Sequence, residues 1–137
     1  MKRTNDKVFL DSNICLYLIS EDSPKKQVAE VLLGLPNPVI SSQVLSETIN
    51  VGIKKLKLSQ PALLAHINFL MSSCELLIVS VPLEMKAIDL HFRFQYSYYD
   101  SLIIATALEA GCSTLYTEDL RHGQIIDSKL ALVNPFL

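Results

Sequence analysis

Acidic residues in this 137-residue chain recur at places where a strand would end or a helix begin. Asp11 follows "VFL", Glu47 lies in "ISSQVLSE", Asp100 in "YSYYDS", and Glu118 and Asp119 follow "STLYT". Taken singly, each has an ordinary explanation. Asp11 can cap a helix, Asp100 can complement a helix dipole, Glu47 can be a solvated helix-face residue and Asp119 a turn residue. Together they allow different chemistry. Carboxylates gathered on one rim repel one another unless a cation compensates them. Oxygen ligands without nearby His or Cys favour Mg²⁺ or Mn²⁺ over zinc. One or two such ions can activate water, hold phosphate oxygens and stabilise a leaving oxygen, which is the chemistry of phosphodiester cleavage.

Those acids must be positioned by the elements around them. "KVFL" (Lys7 to Leu10) reads as a first strand running into the turn residues "DSN", with a short helix from about Ile14 to Ile19 after it. Ser23 as cap and Pro24 in the first turn open a helix carrying Val28, Val31, Leu32 and Leu35, stopped by Pro36 and Pro38. "PVIS" (Pro38 to Ser41) reads as a second strand. Ser41 or Ser42 can cap a helix from about Gln43 to Leu56 with Val44, Leu45, Ile49, Ile53 and Leu56 inward. Ser59, Gln60 and Pro61 begin another helix to about Ser73. "LLIVSV" (Leu76 to Val81) reads as a buried strand, and Pro82 restarts a helix to about Phe94. Tyr96 to Gly111 is a helix capped by Ser97, followed by a strand at Ser113 to Thr117 and a last one near Leu130 to Val133.

Alternating strands and helices, with the strands apolar on both faces, indicate an α/β fold: a central parallel β-sheet flanked by α-helices, in one domain spanning 1-137. Ligands of such sheets bind beyond the carboxyl ends of the strands. Asp11, Glu47, Asp100 and Asp119 all belong at that edge, since the helices run antiparallel to the strands and start there.

Composition limits the alternatives. Half the residues are hydrophobic, 19% are charged and only four are glycine, which fits a packed globule rather than a disordered chain. Twelve Lys and Arg against 14 Asp and Glu give a net charge of −2, so a polyanion would depend on local cations or metal. Cys15, Cys74 and Cys112 are odd in number and widely spaced, against a disulfide framework or zinc site. The basic start "MKRTNDK" is leader-like, but Asp11 cuts the apolar run after it and no stretch is long enough to span a membrane. A cytoplasmic protein with no membrane association is the expectation.

With those residues assembled, the chain resembles the PIN-domain family, and within it the VapC-like ribonuclease toxins of type II toxin-antitoxin pairs. The resemblance rests on "VFLDSN", "ISSQVLSE", "YYDSLIIATALEAG" and "LYTEDLRHGQ". It implies a PIN-like fold and a Mg²⁺- or Mn²⁺-dependent endoribonuclease in which Asp11, Glu47, Asp100 and Asp119 are catalytic metal ligands. It also implies polar support from Ser12, Asn13 and Thr117, and a cognate small antitoxin and a homodimer as protein partners. Arg121 and His122, just after Asp119, could contact the RNA substrate. Glu118 falls off the family's usual site and reads as an exposed neighbour. Tyr96, Tyr98 and Tyr99 precede Asp100 and could either stack on a base or pack under the helix.

Other classes remain open at this level. They are a solitary PIN-domain nuclease, an inactive RNA-binding PIN module, and a HAD-like phosphatase, whose first strand also ends on a metal-binding Asp. The last usually needs a second Asp two residues on, where this chain has Asn13.

Overall fold

The computed structural model describes residues 6–137. Residues 1–5, which include most of the leader-like stretch, lie outside the described residues. Six strands form one sheet in the order β3-β2-β1-β4-β6-β5. The strands are β1 (Val8–Leu10), β2 (Pro38–Ser41), β3 (Glu75–Leu77), β4 (Thr114–Tyr116), β5 (Ile125–Ile126) and β6 (Leu130–Val133). The helices are α1 (Ser12–Tyr17), α2 (Ser23–Leu33), α3 (Ser42–Lys54), α4 (Gln60–Ser73), α5 (Val81–Phe94) and α6 (Tyr98–Glu109). All pairings are parallel except that of β5 with β6. No described helix is long and apolar enough to cross a membrane.

The centre of the sheet is apolar because it is covered on both faces. Phe9 pairs with Val39 on one side and Leu115 on the other, and all three are fully buried. Each such side chain stabilises the fold by about 1.5–3 kcal/mol relative to exposure. Helix α6 is buried continuously from Ser101 to Ala107, so it runs through the interior rather than over the surface. Its C-terminus closes with Gly111 at φ +76°, where the Gly111 and Cys112 amides donate back to Leu108 and Ala107. That left-handed conformation strains a residue bearing Cβ, which explains glycine there. Gly52 of α3 has another reason: a Cβ would come within 3.0 Å of Leu63 Cδ1 on α4. Cys15 and Cys112 are buried and Cys74 is half-buried, each on a different part of the fold.

Several expectations need correction. The cap of α2 is Asp22, whose carboxylate accepts from the Lys25 amide at 3.2 Å; Ser23 is already helical. Val31 points outward at 69% exposure, because Ala29 and Leu32 form the inner stripe. On α3 the inner face is Val44, Leu45, Thr48 and Gly52, with Ile53 and Leu56 exposed. "LLIVSV" is not a buried strand: β3 is a short edge strand over Glu75–Leu77, Ile78 is exposed, and Val81 is taken into α5. An edge strand has one neighbour, so its apolar residues are only half covered. The short β5 was not expected. It folds back on β6 through a tight turn in which Asp127 and Ser128 both have positive φ, without the glycine that normally marks such turns.

Candidate active site

Asp11 stands immediately after β1, is only 4% exposed, and begins α1. One carboxylate oxygen accepts from the Ser12 amide at 2.7 Å, and the other accepts from Thr117 Oγ1 at 2.9 Å. The capping and functional readings of Asp11 are therefore compatible, since one oxygen caps while the other faces Thr117. Thr117 follows β4, next to β1 in the sheet, which is why two residues 106 apart in sequence meet. Its hydroxyl also accepts from the Asp119 amide at 3.1 Å and from Asn13 Nδ2 at 3.4 Å. Asn13 Nδ2 donates to Asp119 Oδ2 at 3.0 Å. Asp11, Asn13, Thr117 and Asp119 thus form one connected group.

Glu47 comes to the same edge from the second turn of α3. The Gln43 side-chain amide donates to its Oε2 at 3.2 Å, and the Ser12 side chain is a second hydrogen-bond partner. Asp100 lies in the first turn of α6, where its amide donates to the Ser97 cap at 3.1 Å. Burial pushes the Asp11 carboxyl up to about 7, against the Ser12 amide and Thr117 hydroxyl, with Glu47 and Asp119 adding repulsion. Burial also raises Glu47, with Asp100 and Asp119 contributing. Asp100 rises for the same first reason, with Asp119 again adding to it. Asp119 is therefore felt by all three of the other acids.

The groups opposing these rises are neutral donors: Ser12, Thr117, Gln43 and Ser97. Lys25 is engaged elsewhere, with Nζ 3.0 Å from Glu118 Oε2 and 3.0 Å from Tyr17 Oη, and lies over the Tyr17 and Phe136 rings. Glu118 is consequently a half-buried partner of Lys25 and Tyr17, not the exposed neighbour expected from sequence. Anionic oxygens held together without a cationic side chain suit a hard divalent ion. Two buried acceptors, Asn13 Oδ1 and Gln43 Oε1, also lack a donor, which ordinarily costs about 1–3 kcal/mol each. Among the described residues, however, no three His, Cys, Asp or Glu side chains are arranged to hold an ion by themselves. The fit is to a hydrated ion that keeps several waters and uses one or two carboxylates directly, as Mg²⁺ commonly does.

The remaining sequence-expected residues are peripheral. Arg121 is exposed, and its backbone amide donates to Tyr96 Oη at 3.1 Å. His122 Nδ1 accepts from the Asn134 amide at 3.0 Å, which puts the ring proton of the neutral form on Nε2. His66 packs in the core against the Cys15 carbonyl at 3.0 Å, and His91 contacts the Tyr96 carbonyl. Gln43 went unnoticed in the sequence. Its position four residues before Glu47 places both on one face of a helix, which is the signal that could have found it.

Thr117→Val is expected to lower stability by about 1–2 kcal/mol, because one near-isosteric change removes a donor to Asp11 and an acceptor for the Asp119 amide. Urea unfolding of the two proteins measures this, and an unchanged midpoint would contradict a structural role for that hydroxyl.

A parallel α/β sheet with acids converging beyond its central strands defines a class of protein, and the comparisons identify it. The PIN domain family model matches residues 8–126, and the chain belongs to that family. Among solved structures it is similar to a toxin-antitoxin complex from Klebsiella pneumoniae, with 24% identity, 93% of this chain and 97% of that one covered, and a TM-score of 0.69. It is also similar to DNA-bound VapBC from Salmonella typhimurium, with 23% identity, 93% and 96% covered, and a TM-score of 0.69. A third is Mycobacterium tuberculosis VapC20, described as a sarcin-ricin loop cleaving toxin, with 20% identity, 82% and 91% covered, and a TM-score of 0.67. No curated protein matched the sequence.

Proposed function

We propose that this chain, read as one PIN domain over 1-137, is a metal-dependent endoribonuclease and the toxin of a toxin-antitoxin pair. The observation that carries the reading is the meeting of Asp11, Glu47, Asp100 and Asp119, from four separate segments, at the carboxyl edge of the sheet. Membership of the PIN family supports it, as do fold neighbours described as a toxin-antitoxin complex and as a sarcin-ricin loop cleaving toxin.

Asp11, Glu47, Asp100 and Asp119 would hold Mg²⁺, or Mn²⁺, directly or through water. The ion supplies a more acidic water and a positive charge for phosphate oxygens. The protein's own contribution is positional. Thr117 and the Ser12 amide fix the Asp11 carboxylate, Asn13 ties Asp119 to the Thr117 hydroxyl, and Gln43 and Ser12 hold Glu47. Water would add in line to the phosphorus of a phosphodiester held at this rim as the P–O3′ bond breaks and O3′ takes up a proton, leaving a 5′-phosphate and a 3′-hydroxyl. Arg121 and the Nε2–H of His122 lie on the loop after Asp119 and would bind flanking phosphates. The cytoplasm is the compartment that fits an RNA substrate and reduced thiols.

A homodimer and an antitoxin complete the reading. Along α5, Val81, Met85, Ile88 and Phe92 form an apolar stripe at spacings of four, three and four residues, each between 49% and 71% exposed. Such a stripe suits packing against a second copy. Ile88→Glu is expected to convert a dimer to a monomer in sedimentation velocity and to make the unfolding midpoint independent of protein concentration, because association stabilises the folded chain by mass action. A dimer that persists would remove α5 as the interface.

The function is tested by incubating purified protein with total cellular RNA in Mg²⁺, in Mn²⁺ and in EDTA, beside Asp100→Asn prepared identically. Discrete metal-dependent fragments that the variant fails to produce are expected. Equal fragments from both proteins would trace the cutting to a contaminant. Absence of cutting by a preparation free of any second small chain would overturn the nuclease reading.

A further inference from the structure

Beside the acidic rim, between α3 and the start of α6, is an open cleft of about 320 Å³ lined by Gln43, Ser46, Glu47, Asn50 and Tyr99. The α3 residues lie at i, i+3, i+4 and i+7, so they form one face of that helix. Tyr99 stands across from them, 65% exposed and adjacent in sequence to Asp100. The two walls are braced: Gln43 Nε2 donates to the Tyr99 carbonyl at 3.0 Å, and the Tyr98 and Tyr99 rings pack edge to face at 5.2 Å. Glu47 belongs both to this cleft and to the acidic group.

The lining is specific in kind. Glu47 disfavours an anion, and two amides with a hydroxyl disfavour an aliphatic group. A planar ring with a donor and acceptor edge satisfies both conditions, because it can stack on an aromatic face while hydrogen-bonding to amides. Gln43 narrows the choice. Its NH₂ group already donates to Glu47 and to the Tyr99 carbonyl, and reversing the amide would set oxygen against oxygen at both places. Its Oε1 is buried and closed to a ligand, which leaves the exposed Asn50 as the amide a ligand can meet.

We propose that this cleft is a nucleobase subsite, in which an unpaired RNA base beside the scissile phosphate stacks on Tyr99 and is read by Asn50. The reading rests on the nuclease function above and adds where base selectivity comes from. Adenine, whose adjacent amino group and ring nitrogen match an Asn amide in two bonds, is favoured over uracil.

The test uses fluorescein-labelled hexamers of oligo(A) and oligo(U), with binding read by anisotropy in Ca²⁺ for the intact chain and for Tyr99→Leu, Tyr99→Phe and Asn50→Ala. Cleavage of the same hexamers by each protein is followed in Mg²⁺. Oligo(A) is expected to bind at least about fivefold tighter than oligo(U). Tyr99→Leu should weaken oligo(A) about tenfold, and Tyr99→Phe should restore it. Asn50→Ala should bring the two hexamers within about twofold of each other. If the Leu and Ala variants bind both hexamers as the parent does while the parent cleaves RNA in Mg²⁺, the subsite is wrong and the nuclease stands. If the parent binds neither hexamer, the subsite falls, and the nuclease reading falls with it only if total cellular RNA is also left uncut in Mg²⁺. Size-exclusion chromatography of Tyr99→Leu covers the remaining case: weakened binding accompanied by a lost dimer would assign Tyr99 to a protein contact and overturn the subsite.

Discussion

Asp11→Asn is expected to reduce metal-dependent RNA cleavage by at least about a hundredfold, since it removes one ligand charge from a metal worth several kcal/mol to the transition state. The same substitution should change how stability depends on pH in the metal-free protein. The Asp11 carboxyl is raised to about 7 by burial, from an ordinary value of 3.8. Between those values the folded state holds a proton that the unfolded state has lost, so stability falls as pH rises. The stabilisation is fully present below about 4 and is lost by about 7, a change on the order of 4 kcal/mol from this group. Burial shifts Glu47 and Asp100 in the same direction, and each adds to the slope above its ordinary value.

Asn cannot ionise, so Asp11→Asn should flatten much of that slope and be more stable than the parent at pH 8 without metal. Its side-chain oxygen can still accept one of the two bonds from Ser12 and Thr117. Adding Mg²⁺ should stabilise the parent more than the variant, because binding to the folded state alone raises apparent stability. Thermal unfolding of both proteins at pH 5 and pH 8, with and without Mg²⁺, tests all of this. A variant less stable than the parent at both pH values would mean that the helix-capping role of Asp11 outweighs its electrostatic cost.

Phe9→Ala should have the largest effect on the fold itself. Phe9 is fully buried in the central strand, paired with Val39 and Leu115 and covered on both faces of the sheet. Truncating such a ring typically costs about 3–5 kcal/mol. A domain of this size commonly has about 5–15 kcal/mol in total, so the variant should be close to unfolding at 37 °C. The expected signature differs from that of Asp11→Asn. Cleavage per folded molecule should persist at low temperature, because Phe9 touches the chemistry only through the strand that ends at Asp11. Urea unfolding at 10 °C with a parallel cleavage assay separates the two, and a loss below about 1 kcal/mol would contradict the packing described for β1.

The expected strands near Val8, Pro38, Thr114 and Leu130 and the helices between them were legible because each depends on local information. Short apolar runs, Ser41, Ser59 and Ser97 as caps, prolines in first turns and Gly111 as a stop all act within a few residues of themselves. The family motifs were legible for the same reason, since each is a short segment of fixed spacing. Even the placement of the four acids at one edge needed only the rule that helices return antiparallel to parallel strands.

What the sequence could not determine depends on neighbours far along the chain. β3 reads as a buried strand until its position at the sheet edge removes one partner, and β5 is only two residues whose pairing is supplied by β6. Glu118 looks exposed until α2 brings Lys25 and α1 brings Tyr17 against it. Gln43 acquires its role only when the first turn of α6 presents the Tyr99 carbonyl 56 residues away. The raised Asp11 carboxyl has the same origin. Residue type fixes an acid's ordinary ionisation, but the desolvation and repulsion that move it come from packing around β1 and from carboxylates on two other segments, Glu47 and Asp119.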